Sequence, residues 1–199
     1  SGKMGYAIAM AAKAKGASVE LISGPVALNP IADIRTTYVE TSSEMYGAVK
    51  EKISDFDIFI STAAIADYKP ANYSDIKYKK NKNNITIEFT RGIDILETIS
   101  KKHKNLFTVG FAAETNSLKE NAQQKLAKKN LDIIVGNIAN HELKLGFESD
   151  YNEVTILSNT NSKKISYDKK SNIANKILDF IAIEYSNKLQ LVKSNAKKS

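Results

Sequence analysis

Short apolar runs alternate along this chain with segments whose apolar residues recur at the helical period. The runs end at Ile22, Ile60, Phe111 and Val135, and each has the length of a buried strand. The segments between them place apolar side chains three and four residues apart, as one face of a helix does. Strands that alternate with helices favour a parallel sheet covered on both faces. The pattern therefore predicts an α/β fold with a Rossmann-like, doubly wound and mostly parallel sheet.

The helices are located by their ends and by their apolar stripes. An alanine-rich helix is predicted over Tyr6 to Lys15, closed by Gly16. Two capping boxes, in which Ser or Thr is followed three residues later by Glu, predict further helix starts. The boxes are Thr41 with Glu44 and Ser117 with Glu120, and their helices reach about Ile53 and Lys129. The last two helices are predicted at residues 95–101 and on the stripe Ile173, Ile177, Phe180 and Ile181.

The strands fall into a main sheet and two smaller elements. Alternation of Ile85, Ile87 and Phe89 with polar residues predicts a half-exposed strand within 83–90, in a small β insertion near the sheet edge. A C-terminal hairpin is predicted from 153–157 with 163–167. The main strands are predicted at 18–22, 56–60, 106–111 and 131–135.

The 199 residues suit one domain of ordinary size. We assign residues 1–187 to this domain and 188–199 to a frayed basic tail. Because Ser1-Gly2 leads directly into the first helix, we expect a first strand and its turn to precede that helix.

Composition excludes several classes of function. The absence of cysteine excludes disulfides, thiolate metal sites and cysteine nucleophiles. No apolar run approaches the roughly 20 residues of a membrane span and the start does not resemble a signal, so we expect a cytoplasmic protein without a membrane partner. The net charge of +7 invites a nucleic-acid partner. Since neither aromatic platforms nor a reading helix accompany the charge, we expect no such partner and mostly solvated lysines.

Small or polar residues follow four predicted strands, at 23–24, 61–64, 112–115 and 136–137. Turn geometry would explain one such segment. Four together favour a ligand crevice, because the carboxyl ends of parallel strands line the binding site of an open α/β sheet. Segment 61–68 is the most informative, since it carries Asp67 and is followed by the cationic cluster 77–80.

Lys125 and Lys129 fall on the same helical stripe as Leu118 and Ala122. Lysines suit a helix C-terminus through the helix dipole, and they can extend to water. Alternatively, with Lys77 they bind a shared anion such as a triphosphate. The residues alone leave both interpretations open.

Six segments in order resemble the bacterial phosphopantothenate-cysteine ligase family over nearly the whole chain. Each motif is modest, but their order and spacing are specific. In that family the ligase is often the C-terminal half of a multifunctional coenzyme A biosynthesis enzyme that begins with a flavin-dependent decarboxylase. The segments are Ser1-Gly2-Lys3-Met4-Gly5, Ser23-Gly24-Pro25-Val26, Ala63-Ala64-Ile65-Ala66-Asp67-Tyr68, Lys77-Tyr78-Lys79-Lys80, Gly110-Phe111-Ala112-Ala113-Glu114-Thr115 and Lys125-Leu126-Ala127-Lys128-Lys129-Asn130.

The resemblance implies a CTP-dependent ligation of 4'-phosphopantothenate with L-cysteine in coenzyme A biosynthesis. The substrate carboxylate attacks CTP to give an acyl-cytidylate and pyrophosphate, and the cysteine amine then displaces CMP. The resemblance also implies Mg2+ on the CTP phosphates, with unassigned metal ligands, and a homodimer. FMN is implied only if a decarboxylase domain exists upstream in the full-length protein.

The resemblance also assigns site residues. Lys77 takes the catalytic role of stabilising charge on the phosphates, and Ser61, Ala63 and Ala64 contact the acyl intermediate through backbone groups. The nucleotide site is assigned to Asp67, Lys77, Ile93, Asp94, Ile95, Leu96, Phe111, Lys125 and Lys129.

The chain departs from the family pattern at two points. The family's catalytic asparagine lies just upstream of the Ser-Gly-Lys-Met-Gly motif, so activity is not assured for a piece that begins at Ser1. In addition, Ile93 stands where the family more often has proline.

Two other functions remain as alternatives. The first is a nicotinamide-dependent oxidoreductase, although no Gly-x-Gly-x-x-Gly follows a strand. The second is a basic nucleic-acid-binding module, which predicts strongly salt-dependent binding to oligonucleotides.

Overall fold

The structure, a computed structural model, describes residues 1–72, 85–114, 118–138 and 149–196. The helices in these ranges are α1 (Lys3–Ala14), α2 (Ser42–Lys52), α3 (Ile95–Lys102), α4 (Leu118–Lys128) and α5 (Lys170–Ala196), and a 3-10 turn, Ile53–Asp55, follows α2. The strands in these ranges are β1 (Glu20–Ser23), β2 (Arg35–Tyr38), β3 (Ile58–Ser61), β4 (Tyr68–Pro70), β5 (Phe89–Arg91), β6 (Phe107–Glu114), β7 (Ile133–Ile138), β8 (Tyr151–Ser158) and β9 (Ser162–Lys169).

A five-stranded sheet in the order β3-β6-β7-β8-β9 forms the centre of the fold. Its first three strands are parallel, and the antiparallel hairpin β8–β9 extends it beside β7. β1 and β2 form a separate parallel pair, and β4 and β5 form an antiparallel ribbon. The mostly parallel α/β architecture, the small β insertion and the C-terminal hairpin plus helix are thus confirmed.

Helices cover both faces of the five-stranded sheet. Ile133 and Val135 of β7 lie in a buried cluster with α1 and α5, whereas Ile134 between them lies in a cluster with α4. Successive side chains of a strand point to opposite faces, so these clusters occupy opposite sides of the sheet. The predicted stripe of α5 belongs to the first cluster, where Ile173 and Ile177 are fully buried. A third cluster, around Val49, Ile95 and Ile99, joins α2 to α3.

Strands β6 and β7 are longer than the sequence pattern predicts. Residues 112–114 and 136–137 were expected to follow the strands as crevice residues, but they continue the strands, with Ala112 paired with Gly136 and Ala113 with Asn137. β8 pairs with the other edge of β7, so the backbone groups of Gly136 and Asn137 have ladder partners on both sides. Cross-strand pairing therefore outweighs the turn propensity of these small residues. Thr115 lies outside the described residues.

The predicted strand at 83–90 is much shorter in the structure. Only Phe89 from the alternating pattern lies in β5, while Ile85 and Ile87 are outside it and more than half exposed. The partner strand β4 is three residues long, which limits the ladder to three pairs. β2 and β4 were not predicted, because both are short and largely polar.

The observed ends of the helices test the predicted capping boxes and the predicted end of the last helix. Thr41 Oγ1 accepts a hydrogen bond from the Glu44 N–H at 3.1 Å, so the first capping box is confirmed. The second box rests on Ser117, outside the described residues.

α5 continues through Ala196, past Asn187 where fraying was expected. Lys188 Nζ lies 2.7 Å from Asp132 Oδ1, which holds this part of the helix against the sheet. The division at residue 187 stays a prediction.

Within the described ranges, every helix is too short or too polar to cross a membrane.

We expect Ile177→Ala to lower the free energy of unfolding by about 2–5 kcal/mol, because it leaves a cavity in the α1–α5 cluster. The matched control is Ile183→Ala on the same helix, where the side chain is 60% exposed and the expected change is within about 0.5 kcal/mol. Urea unfolding of both variants measures the difference. Equal losses would contradict the assignment of Ile177 to the core.

Candidate functional site

At the carboxyl edge of the sheet, β3 ends before its neighbour β6. The last pair between the two strands joins Ser61 to Gly110, and β6 then continues to Glu114. After Ser61 the chain leaves the sheet. The segments 61–67 and 111–114 therefore both follow the end of this ladder, and we call the place between them the crevice. Ala63, Ala64 and Asp67 are exposed there, and Ser61 is half-buried.

The start of α1 is wedged between the loops that follow β1 and β3. A Cβ atom at Gly5 would lie 2.7 Å from Thr62 Oγ1, and one at Gly2 would lie 2.7 Å from Val26 Cγ1. Gly2 also has a φ of +69°, which favours glycine. Gly2 is therefore favoured by its backbone conformation and by the close contact, whereas a side chain at position 5 would force Thr62 to shift. These contacts bring the first N–H groups of α1, which have no partners within the helix, to the edge of the crevice.

The β4–β5 ribbon brings a second loop to the crevice. The Gly92 N–H donates to the carbonyl oxygen of Asp67 at 2.8 Å. A Cβ atom at Gly92 would lie 3.2 Å from the carbonyl oxygen of Ala66, so glycine permits this close approach. The loop that carries Ile93 and Asp94 is thus fixed beside Asp67.

Asp94 joins this loop to α3 and α4. Its carboxylate accepts the Glu97 N–H at 2.9 Å and so caps α3. The other carboxylate oxygen lies 2.7 Å from Lys129 Nζ. Burial alone would raise the pKa of Asp94. The hydrogen bonds from Lys129 and the Glu97 N–H, together with the charges of Lys129 and Arg91, hold the pKa below its ordinary value.

The Asp94–Lys129 ion pair was not anticipated. The sequence left two interpretations of Lys129, a solvated lysine or an anion ligand, whereas the structure places its charge against a carboxylate. Ser100 Oγ also donates to the carbonyl oxygen of Lys129. Lys125 lies one turn earlier on α4 and is half-buried. Lys77 lies outside the described residues.

Several predicted site residues serve the packing of the fold. Ile95 is 2% exposed in the α2–α3 cluster. Leu96 packs beside Gly110, where a Cβ atom would lie 2.6 Å from Leu96 Cδ2. Phe111 is half-buried against the main core, and Ile93 is 44% exposed. The structure therefore gathers Asp67, Ile93, Asp94 and Lys129 at one place, with Phe111 and Lys125 on flanking elements.

A second group of charged and polar side chains at this edge of the sheet was not predicted from the sequence. Lys3 Nζ lies 2.6 Å from Asp150 Oδ1 and is close to Lys170, which is 6% exposed. Burial, and then the charge of Lys3, lowers the pKa of Lys170, while Asp150 opposes the change. In addition, Tyr6 Oη lies 3.3 Å from the buried Ser23 Oγ. Lys3 and Asp150 are 147 positions apart, so no local pattern links them.

The described residues contain no cluster of three or more metal-ligating side chains. Mg2+ needs no such cluster, since it commonly uses one or two carboxylates with substrate phosphates and water. Asp67 offers an exposed carboxylate at the crevice. The donor chemistry present therefore fits a phosphate-bound Mg2+.

A family model for the DNA/pantothenate metabolism flavoprotein C-terminal domain matches residues 1–185. The chain belongs to this family. It is similar to the coenzyme A biosynthesis bifunctional protein CoaBC of Vibrio vulnificus, with 42% identity over 181 residues, and to that of Bacillus subtilis, with 43% identity over 165 residues. These alignments cover 89% and 82% of this chain but 45% and 40% of the relatives. The chain thus spans less than half the length of these curated relatives.

A crystal structure of the C-terminal domain of a CoaBC protein has the same fold. Its TM-score is 0.79 at 35% identity, and the alignment covers 94% of this chain and 84% of that chain. The similarity places the chain with the C-terminal part of the bifunctional proteins, in a family of coenzyme A biosynthesis enzymes.

We expect Asp94→Asn and Asp94→Ala to separate the ion pair from the helix cap. Asparagine keeps the cap acceptor and loses the charge, so we expect a cost of about 1 kcal/mol or more for this pair, whose side chains are 26% and 25% exposed. Alanine also loses the cap, which adds about 1 kcal/mol. Chemical unfolding measures both losses, and equal losses would contradict a stabilising cap.

The pH dependence supplies a second readout for Asp94. A carboxylate with a lowered native pKa stabilises the folded state above its unfolded pKa and loses this contribution as pH falls through the native value. The stability difference between the parent chain and Asp94→Asn should therefore be full at pH 7. It should diminish below the ordinary value of 3.8. A difference that is unchanged at pH 3 and below would contradict this origin.

Proposed function

We propose that this chain provides the ligase activity that joins 4'-phosphopantothenate to L-cysteine with CTP. The observation that carries the proposal is the similarity to the C-terminal domain of CoaBC, at 35% identity over nearly the whole chain. The crevice supports it, because small exposed residues, the start of a helix and several cations meet at one sheet edge. That combination suits a ligand with several negative charges.

The proposed reaction has two balanced steps. A carboxylate oxygen of the substrate attacks the α-phosphorus of CTP, and the bond to the leaving pyrophosphate breaks. The cysteine amine then attacks the acyl carbon, an amide bond forms, CMP leaves and the amine gives up a proton. Both steps develop charge on phosphate oxygens, so catalysis depends on positioning and on neutralising that charge.

In this proposal Lys77 stabilises charge on the phosphates. Lys125 and Lys129 add positive charge, and the pair with Asp94 holds Lys129 at the crevice edge before the nucleotide arrives. Phe111 contacts the nucleotide. The segment Ile93 to Leu96 contributes mainly backbone groups, because the side chains of Ile95 and Leu96 are packed inside.

The small side chains of Ala63 and Ala64 leave the backbone beyond β3 accessible. Together with Ser61, these residues would hold the acyl intermediate through main-chain groups. Asp67 would hold Mg2+ together with the nucleotide phosphates, where the ion neutralises phosphate charge.

Two properties of the whole protein follow from the same proposal. The active form is a homodimer. FMN belongs to a decarboxylase domain, if the full-length protein has one, and no residue of this chain is assigned to it.

Thermal unfolding with Mg2+ and CTP, ATP or NADH in turn tests nucleotide binding. A ligand that binds only the folded state at 100 times its Kd adds about 2.7 kcal/mol of stability. We expect a rise in Tm that is largest for CTP, is lost in Lys77→Ala and is kept in Lys163→Ala, where an exposed hairpin lysine serves as control. A rise specific to NADH would favour an oxidoreductase, and salt-sensitive binding of oligonucleotides alone would favour a nucleic-acid module.

Pyrophosphate release that requires CTP, phosphopantothenate and cysteine tests catalysis. In an active form extended upstream of Ser1 as in the relatives, Lys77→Ala should lower kcat by about 10²-fold or more without lowering Tm. Absence of CTP-dependent release from the extended form would contradict the proposed reaction.

A further inference from the structure

A polar pocket lies at the amino edge of the sheet, opposite to the edge that carries the crevice. Leu106 comes directly before β6 and Asp132 directly before β7, and both line the pocket. Asn159 also lines it and follows β8, which runs antiparallel to β7 and so ends at the same edge. The volume of about 460 Å³ lies within the range of about 300–1,000 Å³ that is usual for small-molecule sites. We call this space the amino-edge pocket.

The lining of the amino-edge pocket carries an excess of positive charge. Lys101 lies on α3, Lys104 follows that helix, and Lys188 lies on α5. Among the described lining residues, these three lysines are accompanied by one carboxylate, that of Asp132. Because Lys188 comes from a different helix, the excess is assembled by the fold and not by one lysine-rich segment.

The carboxylate of Asp132 is already occupied. Its Oδ1 atom lies 2.7 Å from Lys188 Nζ, and its Oδ2 atom accepts the Thr108 N–H at 2.8 Å. Lys188 Nζ also donates to the carbonyl oxygen of Leu106 at 3.3 Å. These bonds fix one wall of the pocket, and this carboxylate does not offset the charges of the two lysines at the end of α3.

The two lysines at the end of α3 are accessible to a ligand. Lys104 is exposed. Lys101 Nζ lies 2.6 Å from Glu97 Oε1, one turn earlier on the helix, and the Lys101 side chain is 55% exposed. An exposed pair of this spacing contributes little to stability, so a ligand of higher charge can draw the lysine away from it.

The helix dipole gives another account of lysines at this edge, because cations stabilise the carboxyl ends of helices. At the end of α4, however, two of the last carbonyl groups already have partners. The Leu131 N–H donates to the carbonyl oxygen of Leu126 at 2.9 Å, and Ser100 Oγ donates to that of Lys129. The dipole of α3 does not account for the polar side chains that the α4–β7 loop and the β8–β9 turn add to the same space.

We propose that the amino-edge pocket binds a small polyanion whose phosphate or carboxylate groups are held by Lys101 and Lys104. Asn130 and Asn159 supply amide hydrogen bonds, and Lys188 adds a third cation that is already oriented. Charge-assisted hydrogen bonds from several cations favour a ligand that carries more than one negative charge. The inference does not rest on the proposed ligase activity, because the pocket lies at the other edge of the sheet.

Backbone amide chemical shifts of the isotope-labelled chain, titrated with pyrophosphate and separately with citrate, test the proposal. We expect saturating shifts at Lys104, Asn130 and Asn159, and the probe with the lower Kd identifies the phosphate or the carboxylate type. The double variant Lys101→Ala/Lys104→Ala should raise this Kd by about 10-fold or more. Since both side chains are exposed, Tm should change by less than about 2 °C. The matched control, Lys102→Ala, removes an exposed lysine that is not among the described lining residues, and Kd should change by less than about 2-fold.

A second variant separates the amino-edge pocket from the crevice, because α3 joins the two places and pyrophosphate in the crevice would also affect these amides. Lys77→Ala, in the proposed nucleotide site, should leave Kd at the pocket amides unchanged. Loss of the shifts in Lys77→Ala would overturn the proposal, as would a lack of saturation with both probes. If Lys102→Ala weakens binding as much as the double variant does, the anion is attracted by general surface charge and the proposal is wrong. Failure of the ligase reaction leaves each of these outcomes unchanged.

Discussion

The ladder between β6 and β7 is the constraint on which the other parts of the structure depend. Six pairs join the two strands, and clusters of buried side chains cover their two faces. Because side chains alternate between the faces, a one-residue shift of either strand would exchange the two clusters. The register of this ladder therefore sets where α4 and α5 pack. The same ladder continues to Glu114, so it also holds the part of β6 that extends beyond the end of β3 at the crevice.

Several charged side chains near the crevice form ion pairs or are buried. Asp94 both caps α3 and pairs with Lys129, so one carboxylate positions a helix and a cation together. At the start of α1, Lys3 has Asp150 beside it, and Lys170 is almost fully buried. A polyanionic ligand would meet cations that are already oriented, which reduces the entropy lost on binding.

The sequence predicted the elements that local physics determines. Apolar runs located β3 and β6, and the capping box of Thr41 located α2. Prediction from the sequence failed where long-range strand pairing determines the secondary structure. Gly136 and Asn137 are strand residues because β6 and β8 flank them. The site behaves in the same way. Asp67 and the small residues after β3 could be anticipated, but the ion pairs Asp94–Lys129 and Lys3–Asp150 could not, because no local sequence pattern links their members.

Gly110 has a consequence that reaches beyond its strand. The space that a side chain would occupy at this position is taken by Leu96 and Leu131, at 2.6 and 2.9 Å from the position of a Cβ atom. Leu96 lies two residues after the carboxylate that holds Lys129. Because Gly110 has no side chain, Leu96 can pack directly against β6, and this packing sets the distance between α3 and the sheet. A larger residue there would displace the loop that carries Ile93 and Asp94, so the geometry of the candidate site is fixed from inside the core.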